Sequence, residues 1–236
     1  MLISVKYGTF KIIFLIFFLL ALFSSIAMAQ TYKDSFSGGK AQLRWNFFPH
    51  FFLDNLKAIK DQNAPDGDGG IGVLINSNRG GFAALSYAIT EEVADFYLEA
   101  FVYCHTTDKE KGQLNGVAFL IDPVNSKFYR FICDFNGKDP TLNVAYVGKD
   151  TNHFPVYLKF WNDKEVPGGI PKKPSWNKMA VKVKNGKATF YWNEKALSGV
   201  VDVSRVGKGF VGVYANYVGG LGTAETKVDS FILRIE

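Results

Sequence analysis

Short runs of alternating apolar and polar residues recur along most of this chain, and they constrain its fold more than any other feature. Gly, Pro, Asn and Asp separate the runs, and nothing after residue 29 reads as a long helix. Period-two alternation bounded by turn residues is typical of β-strands in an all-β domain. The sequence predicts about fourteen strands: Tyr32–Phe36, Leu43–Phe47, Leu56–Lys60, Ile71–Ile75, Phe82–Ala88, Asp95–Cys104, Val117–Asp122, Lys127–Phe135, Leu142–Val147, Val156–Phe160, Lys178–Lys184, Ala188–Asn193, Gly209–Asn216 and Thr226–Ile235.

The clearest turn is Asn185-Gly186, which separates the runs MAVKVK and KATFYW. A two-residue hairpin turn of the primed type needs positive φ at both positions, which Asn and Gly tolerate. Because no helical segments stand between the strands, a parallel α/β design is excluded. We predict an all-β fold, a two-sheet antiparallel jelly-roll sandwich. The similar triplets Asp34-Ser35-Phe36 and Asp229-Ser230-Phe231 are candidates for paired terminal strands.

The first 29 residues have the pattern of a secretory signal peptide. A basic start precedes the unbroken apolar run Ile12–Phe23, and Ala27-Met28-Ala29 supplies small residues two apart. The apolar run is shorter than the ~20 residues that a membrane-spanning helix needs. We therefore expect a signal peptide over 1–29, a single β-sandwich domain over 30–236, a secreted or periplasmic location and no membrane span after cleavage.

The charge and composition exclude several classes of protein. Removal of the leader takes away Lys6 and Lys11 and lowers the formal net charge from +5 to +3. Nucleic-acid binding relies on many clustered cations, so we expect no nucleic-acid partner. Aromatic residues make up 16% of the chain, which excludes disorder, and the length suffices for one substantial core.

Two cysteines in an exported chain leave two alternatives open. Cys104 ends one predicted strand and Cys133 lies near the end of another, so they could form a disulfide or remain as buried thiols. If both strands flank Val117–Asp122 in one sheet, they lie two strand spacings apart, about 9.5 Å. A disulfide needs Cα atoms within about 7 Å, so that strand order would forbid the bridge.

The second half of the chain carries a recognisable order of motifs. A strand that opens with Trp-Asn, in Ser175–Val183, is followed by a short hairpin turn and a second strand that ends with Trp-Asn, in Ala188–Asn193. The motif G-F-V-G-V-Y follows in Gly209–Tyr214, and D-S-F ends the segment Lys227–Phe231. This order resembles the concanavalin A-like lectin and glucanase superfamily, and within it the laminin-G-like jelly rolls and the 3-keto-disaccharide hydrolase-like domains. The resemblance covers most of residues 31–236. The matching residues are framework residues, so they imply a sandwich and leave its chemistry open.

A catalytic motif is not recognisable. Glucanases of the superfamily are similar in carrying E-x-D-x-x-E on one strand, but no glutamate stands two residues before Asp95, and Glu99 follows four residues after it. Four residues along a strand separate Cα atoms by about 13 Å, whereas paired catalytic carboxyls lie about 5–9.5 Å apart. Nucleophile and zinc-protease signatures are also missing from the sequence. A sugar hydrolase like the 3-keto-disaccharide enzymes remains an alternative function.

Polar and aromatic residues on the outward alternation of the strands favour sugar binding. Carbohydrates stack their C–H faces on aromatic rings while fixed polar groups bind their hydroxyls. We predict a non-catalytic, lectin-like carbohydrate-binding protein whose ligand contacts come from two neighbouring strands and the loop after a third: Tyr97, Glu99, Tyr103, Arg130, Trp161 and Asn162. The alternative is that long loops cover this face and its aromatic residues form a second small core.

Acidic residues in and beyond the loop PDGDGG are candidates for a metal site. Asp66 and Asp68 offer carboxylate oxygens, but Ser77 stands where an EF-hand loop would need its last carboxylate. The resemblance to superfamily jelly rolls implies a structural calcium ion near the chain ends, where Asp34 and Asp229 are the candidates. A turn without a metal is the alternative.

A third class of function is adhesion or assembly with a protein partner. Four closely spaced phenylalanines, Phe47, Phe48, Phe51 and Phe52, could form an exposed apolar patch. Exposure of these side chains would distinguish this class from the other two.

Overall fold

The computed structural model describes residues 30–48, 56–76, 84–88, 90–104, 113–135, 139–217 and 224–236. The predicted signal peptide, Phe51 and Phe52 lie outside these residues, and so do the side chains of Phe47 and Phe48. Thr31–Glu236 forms one compact unit. Within the described ranges, no helix is long and apolar enough to cross a bilayer.

The described residues form sixteen strands and two single-turn 3₁₀-helices, at Ser37–Gly39 and Lys149–Thr151. The strands are β1 (Thr31–Asp34), β2 (Trp45–Phe48), β3 (Lys57–Lys60), β4 (Gly70–Asn76), β5 (Ala84–Ala88), β6 (Phe96–Cys104), β7 (Gln113–Asp122), β8 (Lys127–Asp134), β9 (Thr141–Val147), β10 (Val156–Trp161), β11 (Ser175–Lys184), β12 (Lys187–Trp192), β13 (Lys195–Ala196), β14 (Val201–Asp202), β15 (Phe210–Tyr217) and β16 (Ala224–Ile235). Each predicted strand is present, with ends shifted by about four residues at most. The two-residue strands β13 and β14 are too short to give an alternation signal.

The strands form two antiparallel sheets. The first sheet has the order β13-β12-β11-β6-β16-β4-β3, with β1 beside β16 and β14 beside β12. The second sheet has the order β10-β9-β8-β7-β15-β5-β2. Every strand pair in both sheets is antiparallel. The predicted two-sheet antiparallel jelly-roll sandwich is confirmed.

The core lies between the two sheets and follows the alternation of the sequence. On β6 every second residue is fully buried, namely Phe96, Leu98, Ala100, Val102 and Cys104. The second sheet supplies the opposing layer, which includes Phe119, Phe131, Val144 and Val213. Each buried side chain of this size contributes roughly 1.5–3 kcal/mol by leaving water, so the alternation itself determines which faces meet.

Two local predictions are also confirmed. Asn185 and Gly186 have φ of 50° and 69° and join β11 to β12, where Lys184 pairs with Lys187. The terminal strands β1 and β16 pair, with Asp34 opposite Phe231. The first and the last described strands therefore pair within the first sheet, as the two similar triplets indicated.

The predicted neighbourhood of β6 is wrong. β7, β8 and β9 do form a meander, but β6 lies in the first sheet between β11 and β16. Cys104 and Cys133 consequently come from opposite sheets, and both are free, buried thiols. Burial and the neighbouring Cys104 thiol raise the pKa of Cys133 well above its usual value. Of the two alternatives for the cysteines, a disulfide or two buried thiols, the structure therefore has the buried thiols.

Candidate functional site

The two sheets separate the residues that the sequence placed in one ligand patch. Tyr97, Glu99 and Tyr103 lie on the outer face of the first sheet, because Phe96 and its alternation fill the core. Arg130 lies on the outer face of the second sheet, between the core residues Tyr129 and Phe131 of β8. The predicted single patch is therefore wrong: Tyr97, Glu99 and Tyr103 lie on the opposite outer side of the sandwich from Arg130.

On the first sheet, Glu99 is the centre of a hydrogen-bonded charge network. Tyr97 Oη donates to Glu99 Oε2 at 3.0 Å, and Arg234 Nη2 donates to Glu99 Oε1 at 3.1 Å. Lys178 Nζ lies 3.4 Å from Glu99 Oε2. Burial raises the pKa of Tyr97, and the Glu99 charge raises it further. The carboxylate is almost entirely buried and already satisfied by these partners.

The aromatic rings of the same face are covered by cations of the protein. Arg234 Cζ lies 5.2 Å from the centre of the Tyr97 ring, and Lys227 Nζ lies 5.5 Å from that of Tyr103. Trp176 also contacts Tyr103, at 5.3 Å between ring centres. Cations over ring faces are a stabilising arrangement in their own right. On this face the polar and aromatic side chains therefore contact one another.

Trp161 cannot serve as the predicted stacking platform. Its side chain is fully buried, and its Nε1 donates to the Ser198 carbonyl at 2.9 Å. Its ring contacts Phe131 and Phe190 in the core, at 6.1 and 5.6 Å between centres. Stacking on a sugar requires an exposed ring face, so this prediction is wrong. Trp161 is the last residue of β10 and pairs with the buried Leu142, so its side chain points into the core.

Asn162 is exposed, one residue beyond β10, and it shapes the turn that follows. Its Oδ1 accepts a hydrogen bond from the Lys164 amide at 3.0 Å, and its own amide donates to Glu165 Oε2 at 3.0 Å. Such side-chain-to-backbone bonds are the usual role of Asn in a turn. Its predicted sugar contact stays a prediction.

Strand register places two rows of side chains across the outer face of the second sheet. The row through the centre of β8 consists of Tyr157, Ala145, Arg130, Ala118, Gly212, Tyr87 and Asn46. The next row consists of Phe160, Asn143, Ile132, Gly116, Tyr214 and Leu85. We call these two rows the second-sheet face. Every described strand belongs to one of the two sheets.

Arg130 is the charged residue at the centre of the second-sheet face. Its side chain is buried, with 2% exposed, and its Nη1 donates to Tyr214 Oη. The guanidinium carbon lies 5.1 Å from the Tyr214 ring centre and 5.8 Å from that of Tyr157. Nε is buried without a hydrogen-bond partner, and no ion pair joins Arg130 to a carboxylate of the described residues.

Asn143 is a second buried polar residue without partners on this face. It lies on β9, between Phe160 of β10 and Ile132 of β8. Its side chain is fully buried, and neither its Oδ1 nor its Nδ2 has a hydrogen-bond partner. Buried polar atoms are nearly always hydrogen-bonded, so such exceptions point to a missing partner.

An exposed aromatic pair borders these polar groups at the edge strand β10. Tyr157 and Phe160 are 45% and 48% exposed, and their ring centres lie 4.8 Å apart. Farther in, the side chains are buried and apolar, including Leu85, Leu114, Phe128 and Ile132. These side chains form a second apolar cluster, separate from the main core. The face thus combines accessible rings with unsatisfied polar atoms.

The predicted acidic metal ligands meet in one place, with one exception. Asp66 and Asp68 lie in the loop before β4, Asp229 lies on β16, and their ligand atoms are within 4.8 Å of one another. Asp34 is not in this group, because its two oxygens accept four N–H bonds, from the amides of Phe36, Gln42 and Leu43 and from the Trp45 indole. The structure therefore gives Asp34 a loop-bracing role.

At two of the three carboxyls of the acidic cluster, the electrostatics favour neutralisation by a proton or a cation. Burial, together with the charges of Asp66 and Asp68, raises the pKa of Asp229 to about 7. Burial likewise raises the pKa of Asp66. Asp68 Oδ1 is buried without a hydrogen-bond partner, while its Oδ2 accepts from Ser37 Oγ at 2.6 Å. Carboxylate oxygens are ligands for hard cations, so this group of three residues could hold a metal ion.

A groove of ≈ 430 Å³ lies elsewhere on the described surface. Its lining is polar and contains no aromatic ring: Glu92, Asp122, Val124, Asn125, Lys127, Arg205, Val206, Gly207 and Lys208. Lys208 pairs with Glu92 at 2.7 Å, and Asp122 accepts two hydrogen bonds from Asn125. Glu92, Lys208 and Asp122 therefore have partners within the protein.

The fold defines the class of this chain: a two-sheet antiparallel jelly-roll sandwich. Among solved structures, a glycoside hydrolase family 16 endo-glucanase from Bacteroides ovatus is similar, with a TM-score of 0.55 at 12% identity over 86% of this chain and 99% of that one. The catalytic domain of an endo-1,3-β-glucanase (laminarinase) from Thermotoga petrophila has a TM-score of 0.54 at 12% identity, covering 88% and 98%.

A third similar structure is a GlcNAcα1-4Gal-releasing endo-β-galactosidase from Clostridium perfringens, with a TM-score of 0.52 at 15% identity. The match covers 89% of this chain and 63% of that one. No protein-family model matches the chain, and no curated protein matches its sequence. At these identities the likeness establishes the fold alone.

Proposed function

We propose that this chain is an exported, non-catalytic carbohydrate-binding protein whose sugar site is the second-sheet face. The observation that carries the proposal is the exposed pair Tyr157 and Phe160 beside the buried, unpartnered side chain of Asn143. Rings that stack on sugar C–H groups next to amide groups that bind hydroxyls are the components of a carbohydrate site. The three similar solved structures are enzymes that act on glycans, which supports the same class of ligand for this chain.

The described strands of the second sheet present no pair of outward-facing carboxylates, which favours binding without hydrolysis. Glycoside hydrolysis generally uses two carboxyl groups on either side of the scissile bond. In the strands of the second-sheet side that the structure describes, Asp134 is the one carboxylate whose alternation faces outward, at the end of β8. A single carboxylate cannot supply both the acid and the nucleophile or base. The three similar solved structures are enzymes, but their activity does not transfer to this chain at 12–15% identity.

Export and calcium binding complete the proposal. Residues 1–29 would be removed as a signal peptide, leaving a single domain over 30–236 in the secreted or periplasmic space. Asp66, Asp68 and Asp229 would hold a structural calcium ion, which joins the loop before β4 to the last strand. Such an ion would relieve the repulsion between three carboxylates and so stabilise the end of the first sheet.

The test is a glycan array with the protein that a host processes from the full chain, run with calcium and with chelator. Mass spectrometry of the purified protein reads the processed N-terminus, which we expect at Gln30. We expect Tyr157→Ala to lower affinity for the bound glycans about tenfold, the worth of one stacking ring. The matched control is Tyr191→Ala, a partly buried tyrosine on the opposite face.

Binding that Tyr157→Ala weakens and Tyr191→Ala leaves unchanged would support the site. Unchanged binding in Tyr157→Ala would move the site away from this face. Silence of the array in both conditions would contradict carbohydrate binding itself and favour the protein-assembly alternative. Loss of binding with chelator would tie the ligand site to the acidic cluster.

A further inference from the structure

The guanidinium of Arg130 is a buried charge that lacks a counter-charge in the described protein. Its side chain is 2% exposed, and its hydrogen-bond partner is the neutral hydroxyl of Tyr214. Removing a charge from water without an ionic partner is costly, and proteins seldom retain such a group without a use for it. The described surface offers a direct contrast, because Lys182, Lys187 and Lys208 each pair with a carboxylate at 2.7 Å.

Among the described strands, the one carboxylate that faces outward on this sheet does not supply the missing partner. Asp134 lies on the same strand as Arg130, four residues farther on, so their Cα atoms are about 13 Å apart. The paired neighbours of Arg130 across the sheet are Ala145 and Ala118, which carry no charge. The next paired positions are Tyr157 and Gly212. The ring of positions around Arg130 is therefore small or aromatic.

The free edge of the guanidinium is the one that carboxylates and sulfates recognise. Nη1 is occupied by Tyr214, whereas Nε is buried without a partner and Nη2 makes no hydrogen bond to the described residues. Nε and Nη2 present two parallel N–H groups, which bind two oxygens of one planar or tetrahedral anion. The aromatic rings of Tyr157 and Tyr214 flank the guanidinium at 5.8 and 5.1 Å and hold it in place.

We propose that the sugar bound by the second-sheet face is anionic, with a carboxylate or sulfate ester held by the Nε–Nη2 edge of Arg130. This inference rests on the proposed function and names the chemical class of its ligand. The same sugar residue or its neighbour stacks on Tyr157 and Phe160, and Asn143 binds a hydroxyl with its free amide and carbonyl groups. The bound anion supplies the counter-charge that the described residues do not provide to Arg130.

The first arm of the test changes the ligand and leaves the protein intact. The probes are glucuronic-acid-containing oligosaccharides with their carboxyl-reduced forms, and chondroitin sulfate fragments with their desulfated forms, titrated by calorimetry into the processed protein. We expect the anionic member of at least one pair to bind at least tenfold tighter than its neutral counterpart. The preferred pair distinguishes a carboxylate from a sulfate as the recognised group.

The second arm changes the arginine. Arg130→Gln should abolish the difference between the anionic and neutral members, and Arg130→Lys should restore only part of it because lysine lacks the planar fork. Arg234→Gln is the matched control: Arg234 also contacts a tyrosine ring, but it lies on the first sheet and is paired with Glu99. Circular dichroism and thermal unfolding establish that each variant is folded.

The outcomes separate this inference from the proposed function. Equal affinity for both members of every pair, or a preference that survives in Arg130→Gln, would overturn the anionic ligand. If Tyr157→Ala still weakened binding in that case, carbohydrate binding at this face would stand. Failure of all anionic and neutral sugars to bind would overturn the proposed function and the inference with it.

Discussion

The two outer faces of the sandwich are built from similar residues but treat their charges differently. On the first sheet, Glu99 receives bonds from Tyr97, Lys178 and Arg234, and cations cover the aromatic rings. On the second sheet, Arg130 and Asn143 are buried with unsatisfied atoms. A face that satisfies itself needs no ligand, whereas unsatisfied buried groups are stabilised when one binds. The contrast, more than composition, distinguishes a structural face from a candidate site.

The largest expected effect is on stability, at the core residue Trp161. Trp161→Ala should lower the free energy of unfolding by about 3–5 kcal/mol, because it removes a fully buried ring and leaves a cavity. Urea unfolding measures it, with Tyr157→Ala as the exposed control on the same strand, expected to change stability by less than about 0.5 kcal/mol. A small loss in Trp161→Ala would mean that the ring is accessible after all.

The next effect concerns like charges in the acidic cluster of the first sheet. Burial raises the pKa of Asp229 to about 7, above its usual value near 4, so the folded metal-free protein holds a proton that the unfolded chain has released. Stability should therefore fall as pH rises from about 4 to about 7, by at most about 1.4 kcal/mol per pH unit for one proton. Thermal unfolding across this range measures the slope.

Calcium and a variant complete that test. Calcium added at pH 8 should raise the melting temperature, because the ion binds the ionised carboxylates of the folded state. Asp229→Asn should flatten the pH slope and remove the calcium response. A metal response that is unchanged in Asp229→Asn would exclude this cluster as the ion's site.

A smaller loss should follow from breaking the satisfied network of the first sheet. Glu99→Ala removes the shared acceptor of Tyr97, Lys178 and Arg234 and should cost about 1–2 kcal/mol, a value reduced by the partial exposure of both cations. Glycan binding should be unchanged in this variant. Lost binding without lost stability would restore Glu99 as a ligand residue and reverse the comparison between the faces.

The opposite sign is expected on the second sheet. Arg130→Met replaces a buried, unpaired charge with an apolar chain of similar length and should raise the free energy of unfolding by about 1 kcal/mol. Guanidinium-chloride unfolding of Arg130→Met and Glu99→Ala, side by side, should show a rise in the free energy of unfolding for the first variant and a fall for the second. Destabilisation in Arg130→Met would show that the arginine is structural, as Glu99 is.

Much of the fold was accessible from the sequence because strand alternation is local. The inward positions of β6, the Asn185-Gly186 turn and the pairing of the terminal strands were all predicted correctly. The two candidate calcium pairs were predicted separately, and the structure joined Asp66 and Asp68 with Asp229. The stacking role of Trp161 was wrong, since its position at the end of β10 gave no signal of which side it faces.

By itself, the sequence determined which residues alternate and where the turns fall, since these depend on neighbours within a few positions. Only the tertiary structure decided which sheet each strand joins, and this placed Glu99 and Arg130 on opposite sides. It also decided which polar groups find partners, because hydrogen bonds and ion pairs join residues far apart in the chain, such as Arg234 and Glu99. A charge without a partner is visible only after all the partners have been placed.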